Sequence, residues 1–209
     1  MQRSHAGMQQ MSMFDMFTYA PAIRKIKQHI RIHIGEYYAS CHPVLISTLL
    51  GSCVAVCMFD PVSRIGGMNH ILLPGKPDLK HFDMSARYGI NAMELLINRI
   101  MNLGGERHRL VAKVFGGARI LPAIPAENCM GRKNVGFVLE FLKTESFRVV
   151  SRDVGGIQSR RVYFHSDTGD VFLKRGQPFR ADDIVIMERK MKERISRQIR
   201  KPGDVTIFA

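Results

Sequence analysis

The sequence of 209 residues has no tryptophan, few acidic residues and no long uncharged apolar stretch. Its 18 Asp and Glu stand against 31 Lys and Arg, which gives a formal net charge of +13. Such a charge favours acidic partners without choosing between nucleic acid, anionic lipid and an acidic protein surface. Because no apolar run reaches the length of a membrane span, we expect no transmembrane helix. Residues 1–16 are too polar for a secretory signal, so we expect a cytoplasmic protein.

Cysteine is also scarce. In the cytoplasm these thiols are expected to stay reduced, which disfavours a disulfide framework and leaves catalysis, metal binding or core packing. Cys57, in an apolar strand, is more typical of a small buried side chain than of a reactive thiol. A zinc site built from Cys53, Cys57 and His70 matches the spacing of structural zinc sites poorly, and we expect neither metal nor cofactor. The four cysteines are Cys41, Cys53, Cys57 and Cys129.

Composition and pattern predict one α+β domain at residues 29–180, with an N-terminal extension at 1–28 and a basic tail at 181–209. Layered β-sheets are expected to pack against two or three helices. Strands are predicted at 30–38, 44–60 (two pieces joined by a turn at 51–53), 68–73, 110–115, 147–150, 161–165 and 171–174. Helices are predicted at 84–103, at 135–143 with Asn134 as N-cap, and at 182–200.

The predicted helix at 182–200 is basic and amphipathic. Its apolar stripe is expected to dock on the domain while the basic face is solvated, although a partner-binding helix stays open. The stripe consists of Ile184, Met187, Met191, Ile195 and Ile199.

Cys53 and His70 are the candidate catalytic pair. Only the thiolate of a cysteine is a good nucleophile, so such a residue needs a nearby base and a rigid, accessible position. Gly51-Ser52-Cys53 predicts a tight turn whose amide N–H groups can stabilise an oxyanion. Turn residues at Asp60-Pro61 and Gly66-Gly67 predict a connection between two strands of a hairpin, which places His70 beside Cys53.

Several segments together resemble the CheD family of chemoreceptor glutamine deamidases. They are Ile46 to Cys57, Asp60-Pro61, Gly66 to Pro74, Phe115 to Ala118, Asn134 to Gly136, Asp153 to Gly156 and Arg160 to Val162, and the resemblance covers about residues 30–178. It implies mixed sheets packed with helices, similar to toxin-type cysteine deamidases. It also implies a protein-glutamine glutaminase that acts on the cytoplasmic domain of chemoreceptors.

In the mechanism that this resemblance implies, Cys53 attacks the side-chain amide of a receptor glutamine and His70 is the base. Ammonia then leaves, and water releases glutamate. Hydrolysis of receptor methyl esters is implied as a second activity. Some relatives bind a chemotaxis phosphatase, which is therefore a candidate partner.

The third catalytic residue is left open between Ser47 and Thr48. Some CheD relatives have a threonine six positions before the cysteine, where this sequence has Ser47 with Thr48 beside it. Strand alternation favours Ser47, because residues separated by an even number share a face. A bulge at Gly51 would change that parity and favour Thr48.

A different class of function is a basic binding module for an acidic protein or nucleic acid, with Cys53 in a packing role only. The basic stretch at 189–201 has the charge for this, but it lacks the aromatic residues typical of single-strand binders. We therefore expect a protein partner, with neither nucleic acid binding nor membrane insertion.

Overall fold

The computed structural model describes residues 28–73, 79–119 and 129–176, and at 79–87 it describes the helical backbone alone. The predicted helix at 182–200 and residues 1–27 of the predicted extension lie outside this range. None of the described helices is both long and apolar enough to cross a membrane.

The described residues form nine strands, two α-helices and one turn of 3-10 helix. The strands are β1 Gln28–Arg31, β2 Tyr37–Ser40, β3 Val44–Leu50, β4 Val54–Asp60, β5 Ile65–Ile71, β6 Val111–Gly116, β7 Arg148–Val154, β8 Arg160–His165 and β9 Val171–Arg175. The helices are α1 Leu79–Asn102 and α2 Met130–Thr144, and the 3-10 turn is Arg107–Arg109.

The strands form two mixed sheets. The four-stranded sheet has the order β1-β3-β8-β9, and the five-stranded sheet has the order β2-β5-β4-β6-β7. The pairs β1–β3 and β6–β7 are parallel, and the other described pairs are antiparallel. Two mixed sheets packed with two helices confirm the predicted α+β class.

The five-stranded sheet is the middle layer, as the alternation in β4 shows. Val54, Val56 and Met58 pack with apolar residues of α1 and α2. Ala55 and Cys57 point the other way and pack with residues of the four-stranded sheet. A strand covered on both faces needs a continuous apolar sequence, which explains the uninterrupted run in β4.

The structure confirms both predicted hairpins. In the first, Ala55 of β4 is paired with His70 of β5, and in the second, Tyr163 is paired with Phe172. The two strand pieces within 44–60 are also confirmed as β3 and β4, but they belong to different sheets. The chain therefore crosses from one sheet to the other at residues 51–53.

Four predicted boundaries are wrong. The strand expected at 30–38 is divided into β1 and β2, which lie in different sheets and are separated by a turn in which Gly35 has a φ of 79°. The pair Gly66-Gly67 lies inside β5 rather than in a turn. A Cβ at residue 67 would lie 2.6 Å from Ala39 Cβ, so this strand needs glycine for close packing.

Both described helices begin earlier than predicted. Helix α1 begins at Leu79 rather than at 84, and α2 begins at Met130 rather than at 135.

Candidate active site

The turn at residues 51–53 is held by hydrogen bonds on three successive carbonyl groups. Its partners come from the end of β6 and from α2, so the backbone on both sides of the Cys53 Cα is fixed. The carbonyls of Gly51, Ser52 and Cys53 accept, in that order, from Ala118 N at 2.9 Å, Asn134 Nδ2 at 2.8 Å and Gly117 N at 2.7 Å.

Cys53 and His70 lie on the same face of the five-stranded sheet. His70 is directly opposite Ala55, and Cys53 comes two residues before Ala55. Cys53 directly precedes β4 and packs in the same apolar cluster as Ala55, so it lies at the end of the strand next to that of His70, on the same face. Both side chains are buried, with 6% of Cys53 and 3% of His70 exposed. The pairing of Ala55 with His70 places Cys53 near the base, but the accessible position expected for the thiol is wrong, because Cys53 is buried.

Thr48 fixes the protonation of the His70 ring. Its hydroxyl donates to the carbonyl of Ile32 at 2.9 Å and also lies 2.7 Å from His70 Nδ1. A hydroxyl has one proton to donate, so toward His70 it must be the acceptor. The ring proton is therefore on Nδ1, and Nε2 presents its lone pair. Among the described residues, Nε2 has no hydrogen-bond partner.

The environment of His70 keeps its imidazole neutral. Burial, and secondarily the electrostatic effect of His33, lower the pKa of His70 from 6.5 to about 3. Desolvation disfavours the charged form of any buried base. At neutral pH the ring is therefore an unprotonated acceptor at Nε2.

Ser47 lies on the other face of β3. Its hydroxyl is 2.7 Å from Nε2 of His29, on the side of the four-stranded sheet that faces away from His70. The parity argument that favoured Ser47 assumed a single strand through residues 47–53. Because β3 and β4 belong to different sheets, that parity does not carry across the turn, and Thr48 is the residue that contacts His70.

Comparison with known proteins identifies the family. The family model described as CheD chemotactic sensory transduction matches residues 72–175. The protein named probable chemoreceptor glutamine deamidase CheD 1 of Shewanella oneidensis is 42% identical over 183 residues, which is 86% of this chain and 87% of that protein. This chain belongs to the CheD family.

Two more CheD proteins give the same result. The one from Dechloromonas aromatica is 42% identical over 174 residues, 83% of this chain and 86% of that protein. The one from Thiobacillus denitrificans is 42% identical over 177 residues, with the same two shares. The resemblance inferred from the sequence segments is thereby confirmed.

Two residues of this CheD chain near Cys53 and His70 were missed by sequence reasoning. Asn134 was predicted to be an N-cap, but it lies inside α2 and bonds to Ser52. Tyr88 of α1 places its hydroxyl beside Gly35, which in turn donates its N–H to the carbonyl of His70. Burial, and secondarily the charge of Cys53, raise the pKa of Tyr88. Helical periodicity gives no indication of either contact.

The other cysteines of this CheD chain have different surroundings. Cys57 is buried, and this burial raises the pKa of its thiol far above the usual range, so it stays protonated at neutral pH. Cys41 is exposed and Cys129 is buried, and none of the four cysteines is disulfide-bonded. Within the described residues, no group of three or more His, Cys, Asp or Glu could hold a metal ion.

Proposed function

We propose that this chain deamidates glutamine side chains of chemoreceptors, with Cys53 as nucleophile and His70 as general base. The observation that carries the proposal is the neutral His70 ring, which presents its Nε2 lone pair on the face that also carries Cys53. The relatives in Shewanella oneidensis, Dechloromonas aromatica and Thiobacillus denitrificans are each named probable chemoreceptor glutamine deamidases.

In the first half of the reaction, His70 Nε2 accepts the thiol proton of Cys53. The sulfur then forms a bond to the side-chain carbonyl carbon of glutamine, and the resulting imidazolium gives its proton to the amide nitrogen. The carbon–nitrogen bond breaks, ammonia leaves and a thioester remains. In the second half, Nε2 takes a proton from water, the hydroxide attacks the thioester carbon, and the carbon–sulfur bond breaks as Nε2 returns its proton to the sulfur. Glutamate and the Cys53 thiol are the products.

Thr48 is a positioning residue in this scheme. It holds the proton on Nδ1 through both halves of the cycle, so Nε2 is always the atom that exchanges protons. The wrong tautomer would present an N–H to the thiol and could not accept its proton. Because Thr48 Oγ1 also donates to Ile32 O, its own orientation is fixed.

The buried position of Cys53 favours a long, unbranched amide side chain as the substrate, because such a side chain can reach a thiol that has only 6% of its residue exposed. Glutamine has one methylene more than asparagine and can extend its amide farther from the receptor backbone. The net charge of +13 favours encounter with an acidic protein surface.

The same chemistry extends to receptor methyl esters, with methanol as the leaving group instead of ammonia. We place the reaction in the cytoplasm, where the signalling domains of chemoreceptors lie. A chemotaxis phosphatase is the second partner that we propose, since its binding near Cys53 would regulate access to the thiol.

The decisive experiment incubates the protein with a receptor cytoplasmic domain and follows ammonia release and the mass change from amide to acid. Cys53→Ala is expected to abolish both while retaining the fold. Cys57→Ala is the matched control, because Cys57 lies on the same face of β4 but stays protonated; it should retain activity. Ammonia release by Cys53→Ala at the wild-type rate would contradict the proposed function.

A further inference from the structure

Asn134 connects the segment that carries Cys53 to the strand that carries His70. Its Nδ2 donates to the carbonyl of Ser52 at 2.8 Å, and its Oδ1 accepts from Leu73 N at 3.1 Å. Ser52 immediately precedes Cys53, and Leu73 follows His70 by three residues. One buried amide therefore links both halves of the proposed catalytic pair.

Helix stability alone does not favour this residue. Asparagine is a poor helix former, and burying an amide is costly unless its groups find partners. Here both polar atoms of the amide have partners outside the helix. The two bonds compensate for burial and at the same time relate two segments that are far apart in sequence.

The position of α2 allows Asn134 to reach the turn. A Cβ at residue 117 would lie 2.8 Å from the carbonyl oxygen of Gly131, so the first turn of α2 is in close contact with the end of β6. Asn134 follows one helical turn later and faces the same segment. The carbonyls of Gly51 and Cys53 accept from backbone N–H groups, whereas that of Ser52 accepts from a side chain that can be substituted.

The bond to Ser52 also determines the direction of the next peptide group. In a trans peptide the C=O and N–H bonds point in opposite directions. Holding the Ser52 carbonyl toward α2 therefore sets the orientation of the Ser52–Cys53 peptide plane and, with it, the Cα–Cβ direction of Cys53. Without this bond the plane is held only through the neighbouring carbonyls of Gly51 and Cys53, and we expect a small rotation that changes the direction of the thiol.

We propose that Asn134 is a positioning residue that keeps the Cys53 thiol aligned with Nε2 of His70. This inference rests on the proposed function for its catalytic meaning. Its structural content, the alignment of the thiol, is measurable on the protein alone.

The test uses Asn134→Asp, which is nearly isosteric. The ionised carboxylate still accepts from Leu73 N but has no proton to donate to Ser52 O. We expect kcat for receptor deamidation to fall by about 10-fold or more with little change in KM, since misplacement by a fraction of an ångström is costly in catalysis. A buried carboxyl has a raised pKa, so it becomes protonated as the pH falls and can again donate to Ser52 O. The ratio of variant to wild-type activity should therefore rise toward lower pH.

Asn134→Ala is the matched control. It removes both bonds and has no titratable group, so we expect low activity without recovery at lower pH. Both variants keep Cys53 and His70, so the pH dependence of those groups cancels in the comparison. A merely structural role would lower the melting temperature of both variants without a recovery that is specific to aspartate.

The second readout is the rate of Cys53 alkylation by iodoacetamide, followed by peptide mass mapping, which separates Cys53 from the exposed Cys41. It needs no receptor, so it tests the alignment even if wild-type protein releases no ammonia. We expect slower alkylation of Cys53 in both variants than in the wild type. The ratio of variant to wild-type rate should rise at lower pH in Asn134→Asp alone. If both variants are alkylated at the wild-type rate and keep the wild-type kcat, the inference is overturned. The proposed function would still stand in that case, provided that the wild-type protein releases ammonia and Cys53→Ala does not.

Discussion

The hydroxyl of Thr48, in the four-stranded sheet, lies 2.7 Å from Nδ1 of His70, in the five-stranded sheet. The orientation of the imidazole therefore depends on a contact between the two sheets. The backbone positions of Cys53 and His70, in contrast, are related through the pairing of β5 with β4, the strand that Cys53 directly precedes. Position and orientation of the base thus have separate structural origins, and each can be perturbed separately.

Substitution of Thr48 should lower activity much more than substitution of Ser47. Thr48→Val removes the acceptor that holds the proton on Nδ1, and we expect a loss of about 100-fold in kcat, within the range for a general base. Thr48→Ser keeps the hydroxyl and should retain most activity. Ser47→Ala, the matched control on the outer face of β3, should remain near the wild-type rate. Equal losses in Thr48→Val and Ser47→Ala would contradict the assigned contact.

Acidification should destabilise the protein through His70. The pKa of this ring is about 3 in the folded state and 6.5 in the unfolded chain. Between these two pH values the unfolded state therefore binds a proton that the folded state does not. Stability is then lost as the pH falls, at up to about 1.4 kcal/mol per pH unit. His70→Gln lacks this titration. Urea unfolding of both proteins from pH 7.5 to pH 4.5 should give a steeper loss in wild type, and parallel curves would refute the assignment.

Alanine should not be tolerated at Gly116 or Gly117. Both have positive φ, 110° and 68°, and a Cβ would overlap the Cys53 carbonyl oxygen at position 116 and Val135 Cγ2 at position 117. We expect either change to displace the turn at residues 51–53, so that Cys53 is alkylated at a rate that differs from that of the wild type. Gly136→Ala is the control, because this helical glycine has open space around it and alanine should stabilise α2 by about 1 kcal/mol. Wild-type alkylation in Gly117→Ala would be the contrary result.

Asp60 should contribute to stability rather than to chemistry. Burial alone would raise its pKa, but hydrogen bonds from Arg109 and from the backbone N–H groups of Glu106 and Val62 outweigh this and hold the pKa far below its usual range. Asp60→Ala removes a fully buried carboxylate together with its hydrogen bonds and should lower the free energy of unfolding much more than loss of an exposed partner does.

The control for Asp60 is Glu106→Ala, which removes an exposed partner of the same arginine at 2.7 Å and should cost less than about 1 kcal/mol. Chemical denaturation at neutral pH measures both changes. Deamidation per folded molecule should be unchanged in each variant, and similar losses of stability in the two would contradict the difference in burial.

Local pattern was sufficient for the hairpin that brings Cys53 and His70 together. Turn residues after Asp60 and the apolar runs on both sides specify that pairing without reference to the rest of the chain. The choice between Ser47 and Thr48 was beyond reach, because it depends on β3 and β4 entering different sheets. The alternation of residues along a sequence does not indicate where the chain passes from one sheet to another.

The role of Asn134 was missed for a related reason. An asparagine ahead of an apolar helical stripe is typical of an N-cap, and propensity alone cannot distinguish a cap from a side chain that bonds to a distant turn. The helix begins five residues earlier than predicted, at Met130, and Gly131 in its first turn packs against Gly117 and Ala118. Tyr88 likewise reaches Gly35, whose N–H bonds to the carbonyl of His70, through tertiary packing.

Because the chain crosses from one sheet to the other at residues 51–53, the geometry at Cys53 and His70 depends on the packing between the sheets. Phe164 and Met68 pack between the two sheets. We expect a smaller side chain at either position to change the distance between the sheets, and with it the contact of Thr48 with His70. We therefore expect substitutions in this apolar core to lower the rate of turnover before they prevent folding.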